Sequence, residues 1–251
     1  MATFEGTQQI LEPQTARFIL KVAQDAQQGN ASPFALSSDF DYVKHAADCL
    51  GKRCPAEMGA GLLDPIVQLE AFESRACALL LEAGEAIQGE MMGEGDDDGS
   101  GGSGASLQQA LVRQGVLLGR LARAHCQLIM LRRFHESVAK QEARLKGSAP
   151  ATTPSEGEGE AEDEVVVGQA EVRVLRQMVH LFALSVMEQE MAEFRAQDYL
   201  SAAQGAMCSR EVLRLCRLVR AEAVWCVGFW GRACFLFSWL RWGFSGFSYL
   251  T

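Results

Sequence analysis

Apolar residues recur at helical spacing along most of this chain, which predicts a protein built almost entirely from α-helices. The first helix is expected over residues 12–28, because Pro13 suits a first turn and the pair Gly29-Asn30 favours a helix end. Its apolar positions are Ala16, Ile19, Leu20 and Ala23. Strand-like residues cluster only in the short run 165–167, so no sheet is expected.

The strongest helix signal begins at Asp64, a favourable N-cap, followed by Pro65, a favourable first helical residue, and it continues to about Gly89. Its apolar stripe is Ile66, Leu69, Phe72, Ala76, Leu79, Leu80 and Ala83. The other elements expected on the same grounds are a helix over 39–50, a loop over 51–63, one long helix or two joined end to end over 105–146, and helices over 169–194 and 209–224.

Two polar stretches, 90–104 and 147–164, interrupt this pattern. They are rich in Gly, Ser, Asp and Glu, and such a composition has too few apolar residues to bury itself. We therefore expect an all-α fold, an antiparallel helical bundle with two disordered acidic inserts.

The net charge of −9 is concentrated in the same two stretches. Five acidic residues lie within 90–104 and six within 155–164, with no Lys or Arg in either range, so the rest of the chain is close to neutral. A neutral folded part gives no reason to expect nucleic-acid binding. The 48% share of hydrophobic residues is enough for a sizeable core.

The eight cysteines are scattered among apolar neighbours without a CxxC pair. We interpret them as reduced, buried, small hydrophobic residues of an intracellular protein, with zinc ligation as a remote alternative and no metal site expected. They are Cys49, Cys54, Cys77, Cys126, Cys208, Cys216, Cys226 and Cys234. Neither a secretory signal nor a peroxisomal tripeptide is recognisable at the chain ends.

Residues 225–251 form an aromatic tail that contains all four tryptophans. Arg232 and Arg241 divide it into apolar runs far shorter than the ~18 residues that a membrane span requires, so no span is expected. A segment lying on a membrane surface and an alternative terminus that the parent fold does not bury both remain open.

The first residues of the chain carry candidate chemistry. Glu5 precedes a flexible Gly6, and the polar run from Thr7 to Gln9 offers hydrogen bonds near a helix N-terminus. The alternative for Glu5 is an exposed acid or a favourable charge at a helix start, and for Thr7 and Gln9 it is helix capping.

Taken in order, several segments make the chain resemble the C-terminal half of a peroxisomal acyl-CoA oxidase. They are Thr3-Phe4-Glu5-Gly6 leading to Gln14-Thr15-Ala16-Arg17-Phe18, then Gln68 to Ala76, Ala124-His125-Cys126, Leu175 to Leu184 followed by Tyr199-Leu200, and Arg220 to Val224. Order and spacing agree over about residues 3–224. We interpret His125 by its surroundings as a packed core histidine, and Arg17 as a side chain whose stem covers apolar surface.

The resemblance implies that Glu5 removes the α-proton of a fatty acyl-CoA while FAD accepts the β-hydrogen as hydride and dioxygen reoxidises the flavin to give H2O2. It also implies that Gly6, Thr7 and Gln9 contact FAD. It further implies a peroxisomal location and a homodimer, or pairing with oxidase subunits. The implied divisions are the end of a first C-terminal α-domain (1–30), a connecting segment (31–63), the oxidase C-terminal α-helical domain (64–224) and an atypical aromatic tail (225–251).

Two departures keep other functions open. Oxidases more often carry Asp-Asn after the glycine, so Thr7-Gln8 is closer to the acyl-CoA dehydrogenases, which pass electrons to a protein carrier. The long second helical domain opposes that alternative. The family places a helical domain and a flavin-covering β-domain before the glutamate, and both are missing here. Their absence favours a non-catalytic helical module that pairs with oxidase subunits.

Overall fold

The computed structural model describes residues 2–29, 38–93, 105–147 and 168–229, and no strand occurs within these ranges. The expected all-α class is confirmed. The α-helices are α1 (Ala2–Gln27), α2 (Asp41–Lys44), α3 (Pro65–Met92), α4 (Leu107–Arg113), α5 (Gly115–Gly147), α6 (Gln169–Gln189), α7 (Met191–Ala196) and α8 (Ala202–Phe229). Three 3₁₀ helices span Ser38–Phe40, Ala47–Cys49 and Gly59–Leu63.

The long helices pack antiparallel, as the sequence predicts. Glu73 near the start of α3 pairs with Arg132 in the second half of α5 at 2.8 Å, whereas Glu90 near the end of α3 pairs with Arg113 in α4 at 2.9 Å. Between them, Glu82 of α3 lies 3.8 Å from Arg120 near the start of α5. The partners of α3 therefore come from earlier positions in the chain as α3 advances, so α3 and α5 run in opposite directions.

Helix α6 is likewise antiparallel to α5, and α8 is antiparallel to α6. Near the start of α6, Arg176 pairs with Glu142 in the last turns of α5, and further along α6 the ring of Phe182 lies 6.1 Å from that of Phe134. The Cys208 thiol near the start of α8 donates to a backbone carbonyl near the end of α6 at 3.4 Å. These contacts complete an antiparallel bundle of α3, α5, α6 and α8.

Helix α3 begins where the sequence predicts. The Asp64 carboxylate accepts a hydrogen bond of 2.8 Å from the backbone N–H of Ile66, and Pro65 is the first helical residue. The helix runs three residues past Gly89 to Met92, where Gly93 ends it in the left-handed region at φ 79°.

The predicted start of α1 at residue 12 is wrong. The helix begins at Ala2, and Pro13 lies inside it. The residues before Pro13 include Gln, Leu and Glu, which are good helix formers, so they continue the helix although Pro13 cannot donate to the preceding turn. The end is as expected, with Gln27 the last helical residue and Gly29 at φ 70°.

The single helix expected over 39–50 is instead a series of short elements, the 3₁₀ helix Ser38–Phe40, α2 and the 3₁₀ helix Ala47–Cys49. Buried Tyr42 and Cys49 hold this segment against the bundle, so tertiary packing replaces regular helix. The 3₁₀ helix Gly59–Leu63 similarly falls within the predicted loop.

Three later predictions concern helix boundaries. The range 105–146 does contain two helices joined end to end, while 169–194 divides into α6 and α7 around Glu190. Helix α8 begins seven residues before Ser209, because Ser201 and Gln204 form a reciprocal cap. The Ser201 hydroxyl accepts from the Gln204 N–H at 3.2 Å, and the Gln204 side chain accepts from the Ser201 N–H at 2.9 Å.

One hydrophobic core unites α1 with the bundle, with Ala16 and Ile19 fully buried beside residues of α3, α5, α6 and α8. The predicted α3 stripe is buried or partly buried except Ile66, which is 66% exposed, because it lies in the first turn beside the cap. The six cysteines whose side chains the structure describes are free thiols, but Cys126 and Cys216 are exposed rather than buried as expected, because both lie on outer helix faces.

In the described ranges, no helix combines the length and apolar character needed to cross a membrane. Residues 90–92 of the first predicted insert are helical because they complete α3, and residues 225–229 of the predicted tail continue α8. Residues 94–104, 148–167 and 230–251 lie outside the described residues. The predictions made for them therefore stay predictions.

Candidate functional site

The residues predicted for catalysis and cofactor contact lie together in the first turns of α1. Glu5, Gly6, Thr7 and Gln9 are all helical, although we expected them just ahead of a helix. Their side chains are outside what the structure describes, so the position of this segment is argued from the helix that carries it.

Helix register sorts these positions onto different sides of α1. At about 100° per residue, positions 5 and 9 share one face with positions 12, 16 and 19, while position 7 falls on the opposite side. Because Ala16 and Ile19 are fully buried, the face that carries positions 5 and 9 is the one that packs against the bundle further along.

Glu12 fixes this face of α1 against α5. Its carboxylate lies 3.8 Å from the Arg123 guanidinium, and a Cβ added at Gly119 would lie only 3.0 Å from a Glu12 oxygen. The missing side chain at Gly119 thus allows the close approach of α1.

The contacts of α1 also show its direction relative to α5. Glu12 contacts Gly119 and Arg123, whereas Phe18 packs edge-on against Phe40 at 5.6 Å, and Phe40 stacks on His125 at 4.8 Å. Both sets of contacts lie in the first half of α5, so α1 packs on the part of α5 that follows its start at Gly115.

Large apolar side chains are exposed at that end of the bundle. Val112 is 68% and Val116 is 82% exposed, and Leu107 and Met92 are also exposed. The backbone N–H of Ala105 donates to the Glu90 carbonyl at 3.1 Å, which brings the start of the α4 segment beside the end of α3. The surface where α3 ends and where α4 and α5 begin is therefore apolar, and we call these four side chains the apolar end.

His125 is the buried, hydrogen-bonded histidine that the sequence predicts. It is 7% exposed, its Nδ1 shares a hydrogen bond of 3.0 Å with the Tyr42 hydroxyl, and Phe40 covers its ring. Burial lowers the pKa of His125 to about 4, although Asp39 acts in the opposite direction. The imidazole is neutral at physiological pH and belongs to the core.

A buried ion network joins α3, α5 and α7. Arg75 is 1% exposed, and its Nε donates to Glu193 at 2.5 Å. Another Arg75 nitrogen donates to Gln127 at 2.5 Å, and Arg120 donates to the second Glu193 oxygen at 2.6 Å. Burial by itself raises the pKa of Glu193, but the hydrogen bonds and charges of the two arginines outweigh burial and lower it. Glu193 is ionised and fully paired.

A cavity of about 300 Å³ opens beside this network. Its walls combine apolar side chains such as Leu79 with the charged groups of Glu82, Glu85, Arg120 and Glu193. None of the residues that line it is a serine, cysteine, lysine or histidine. Because Glu193 at the cavity wall is fully paired with two arginines, we interpret the network as structural.

A second polar cluster centres on Gln68, which is fully buried in α3. Its amide nitrogen donates to the Leu62 carbonyl at 2.8 Å, so its carbonyl oxygen is the acceptor for His135 at 3.1 Å and His180 at 3.3 Å. Burial lowers the pKa of His180 to about 4, with smaller effects of His135, Arg176 and Arg214. Two neutral imidazoles thus link three helices.

Sequence reasoning missed both clusters. The signal for Arg75 and Gln68 was their position among the buried residues of α3, since a charged or amide side chain there requires a buried partner. The partners lie far away in sequence and could not be named. Among the described residues, no three His, Cys, Asp or Glu side chains converge as metal ligands.

With this geometry established, comparison with known proteins gives the family. The family model "Acyl-CoA oxidase" matches residues 64–230, two thirds of the chain. The chain belongs to the acyl-CoA oxidase family.

Similar curated proteins include peroxisomal acyl-coenzyme A oxidase 2 of Mus musculus, 26% identical over 224 residues, and peroxisomal acyl-coenzyme A oxidase 1 of Arabidopsis thaliana, 23% identical over 222 residues. Each alignment covers 88% of this chain but only 28% and 27% of the relative. The chain thus spans little more than a quarter of the length of these proteins.

Solved structures show the same fold. The chain is similar to Arabidopsis thaliana acyl-CoA oxidase 1 with a TM-score of 0.63 and 21% identity, over 86% of this chain and 26% of that one. For the acyl-CoA oxidase LeACX1 of tomato the TM-score is 0.64 at 17% identity, over 86% and 27%. At these identities the match supports the arrangement of helices and nothing further.

Proposed function

We propose that this chain is the C-terminal helical part of an FAD-dependent acyl-CoA oxidase and that Glu5 is its catalytic base. The observation that carries the proposal is the acyl-CoA oxidase match over residues 64–230, together with the packing of α1 into the same core. Residues 2–10 lie outside the matched range, so the role of Glu5 rests on the sequence resemblance and on the position of α1.

The register of α1 fits an FAD contact in part. Positions 5 and 9 share one face and Gly6 flanks it, so Glu5, Gly6 and Gln9 would be the residues that meet the flavin from this helix. Position 7 lies on the other side, so Thr7 would reach the cofactor only from a different surface. When bound, FAD supplies the acceptor for the hydride that leaves the β-carbon.

In the proposed reaction, the role of this chain is to remove the α-proton. The α-proton of an acyl-CoA is weakly acidic, so the Glu5 carboxylate acts as a base only where water is excluded and the thioester is held close. The apolar end, with Val112 and Val116 exposed, offers a surface suited to an apolar acyl chain or a covering domain.

We place the chain in the peroxisome as part of a dimer, or paired with oxidase subunits. The support for the location is that relatives from mouse and Arabidopsis are named peroxisomal acyl-coenzyme A oxidases. The same names support an acyl-CoA substrate, whereas the fatty acyl group and the pairing rest on the sequence resemblance.

The test is peroxide release from a fatty acyl-CoA by the purified chain supplied with FAD. We expect Glu5→Gln to reduce the rate by about 10²–10⁴-fold, since a positioned base contributes that much. Asp25→Asn is the matched control, because it removes an acid near the other end of α1, and its rate should be unchanged. Equal rates for Glu5→Gln and the parent chain would exclude Glu5 as the base. Reduction of an electron-accepting dye without peroxide would indicate a dehydrogenase.

A second candidate is a non-catalytic helical module that pairs with oxidase subunits, and the apolar end favours it. In that case the purified chain should co-elute with a full-length acyl-CoA oxidase on size exclusion. The double variant Val112→Asp and Val116→Asp should abolish co-elution, whereas Leu213→Asp on the exposed side of α8 should not. Separate elution of the parent chain would exclude this function.

A further inference from the structure

Helix α1 contains a proline in its interior, because Pro13 lies well inside the helical range from Ala2 to Gln27. In an α-helix each backbone carbonyl accepts a hydrogen bond from the N–H four residues later, and proline has no N–H. The carbonyl of Gln9 therefore lacks the donor of its own helical hydrogen bond. It needs a donor from outside that ladder.

The helix is anchored to the bundle beside this break in the hydrogen-bond ladder. The carboxylate of Glu12, the residue before Pro13, lies 3.8 Å from the Arg123 guanidinium of α5. The absence of a side chain at Gly119 leaves room for that carboxylate, since a Cβ added there would lie 3.0 Å from a Glu12 oxygen. These contacts hold the backbone next to the break against α5.

A ligand can approach the break from one side of α1. Leu11 is 52% exposed and Gln14 is exposed, whereas Glu12 and Pro13 are partly buried. A proline ring also crowds the carbonyl four residues earlier, which turns that carbonyl outwards. The Gln9 carbonyl thus belongs to a surface that is open on one side and sheltered on the other.

Helix register brings this acceptor close to the proposed base. Positions 5 and 9 share one face of α1 and are one turn apart, about 5–6 Å. Carbonyls point towards the C-terminal end of a helix, so the Gln9 oxygen lies between positions 9 and 13. A ligand that reaches the Glu5 turn therefore passes within about two turns of this oxygen.

We propose that the main-chain carbonyl of Gln9, released by Pro13, accepts a hydrogen bond from a hydroxyl or N–H group of FAD or of the acyl-CoA. Both ligands carry such donors, as ribose hydroxyls and as amide or amine N–H groups. The choice of these ligands rests on the function proposed above. Pro13 is a positioning residue, because it withholds a donor from the carbonyl and does not itself contact the ligand.

The experiment compares the parent chain with Pro13→Ala, which returns an N–H to position 13 and lets it pair with the Gln9 carbonyl. The variant should unfold at a higher temperature, because alanine is far more favourable than proline inside a helix. Its dissociation constant for FAD or for palmitoyl-CoA should nevertheless rise about 2–10-fold, the range that one hydrogen bond contributes. Stronger folding with weaker binding is a combination that a merely structural role of Pro13 does not produce.

The control is Gln14→Ala, an exposed neighbour whose backbone N–H is the same in both residues, and both dissociation constants should be unchanged. FAD and palmitoyl-CoA are titrated separately, so the ligand whose binding weakens is the one that donates to Gln9.

The inference is wrong if Pro13→Ala binds both ligands as tightly as the parent chain, or if the parent chain binds neither. Binding is measured without turnover, which separates this inference from the role of Glu5. Weaker binding in Pro13→Ala together with unchanged peroxide release in Glu5→Gln would support the Gln9 contact and exclude Glu5 as the base.

Discussion

At the scale of single residues, the most constrained side chain described is Arg75. It is 1% exposed, bonds to Glu193 and Gln127, and lies 5.7 Å above the ring of Phe194. Burying a guanidinium is costly, and the paired carboxylate together with Arg120 makes its burial tolerable only in this one arrangement of α3, α5 and α7. The network therefore fixes how these helices fit together.

Replacing Glu193 by Gln should reduce the free energy of unfolding by about 3–5 kcal/mol, because Arg75 loses its short ion pair while it stays buried, with only the longer 3.6 Å contact to the Glu190 carboxylate left. Chemical denaturation measures this change. The matched control is Glu136→Gln, where the partner Arg133 is about half exposed and the loss should be ~0–1 kcal/mol. A loss for Glu193→Gln no larger than that of the control would contradict a structural role for the network.

Buried histidines predict how stability depends on pH. The pKa values of His125 and His180 are lowered to about 4, whereas an unfolded histidine has a pKa near about 6.5. Between these values the unfolded chain binds more protons than the folded chain. Stability is therefore fully present above about pH 6.5 and is lost as the pH falls towards 4.

The variant His125→Asn should reduce this pH dependence, since its amide can still bond to the Tyr42 hydroxyl but cannot titrate. Denaturation at a series of pH values measures the slope, and His45→Asn at an exposed position should leave it unchanged. A slope in His125→Asn equal to that of the parent chain would show that His125 does not carry the effect.

Residue-level prediction from the sequence worked where local context decides the outcome. The Asp64 cap and the packed His125 could be predicted because each needs only its own segment or an apolar neighbourhood. The partners of Arg75 and Gln68 come from helices more than 50 residues away, so no local pattern could identify them. The roles of Glu5, Gly6, Thr7 and Gln9 stay predictions.

At the scale of elements, α1 decides where the Glu5 segment lies. Its start was predicted too late because Pro13 was interpreted as a first-turn residue, and a proline at that position is compatible with either a start or an interior site. The helix begins at Ala2, so Pro13 occupies an interior site. For helix α8 the start was also predicted too late, at Ser209. The spacing of Ser201 and Gln204 fits a capping box and would have predicted the observed start.

The contact between α1 and α5 can be tested at Gly119. A Val side chain there would overlap Glu12, so Gly119→Val should reduce the free energy of unfolding by ~1–3 kcal/mol and increase hydrogen exchange in α1. Adding Glu12→Ala should recover most of the loss. Gly84→Val in α3 is the control, because no atom lies within 4 Å of a Cβ added there. Unchanged exchange in α1 would mean that Glu12 does not hold it to α5.

At the scale of the whole molecule, periodicity was sufficient to predict an antiparallel helical bundle, because long amphipathic helices have few other ways to bury their apolar faces. The short elements between α1 and α3 could not be predicted, since burial of Tyr42 and Cys49 rather than propensity shapes them. The family followed from several weak motifs in the right order, and the match over residues 64–230 confirms it.

The most direct test of the oxidase function is the visible absorbance of the purified chain after incubation with FAD, removal of free flavin and anaerobic addition of a fatty acyl-CoA. We predict that the parent chain retains a flavin absorbance band and that this band bleaches when the acyl-CoA is added. In Glu5→Gln the band should persist after the addition, because reduction of the flavin requires removal of the α-proton. A chain that retains no flavin, or one that bleaches equally well without Glu5, would contradict the proposed function.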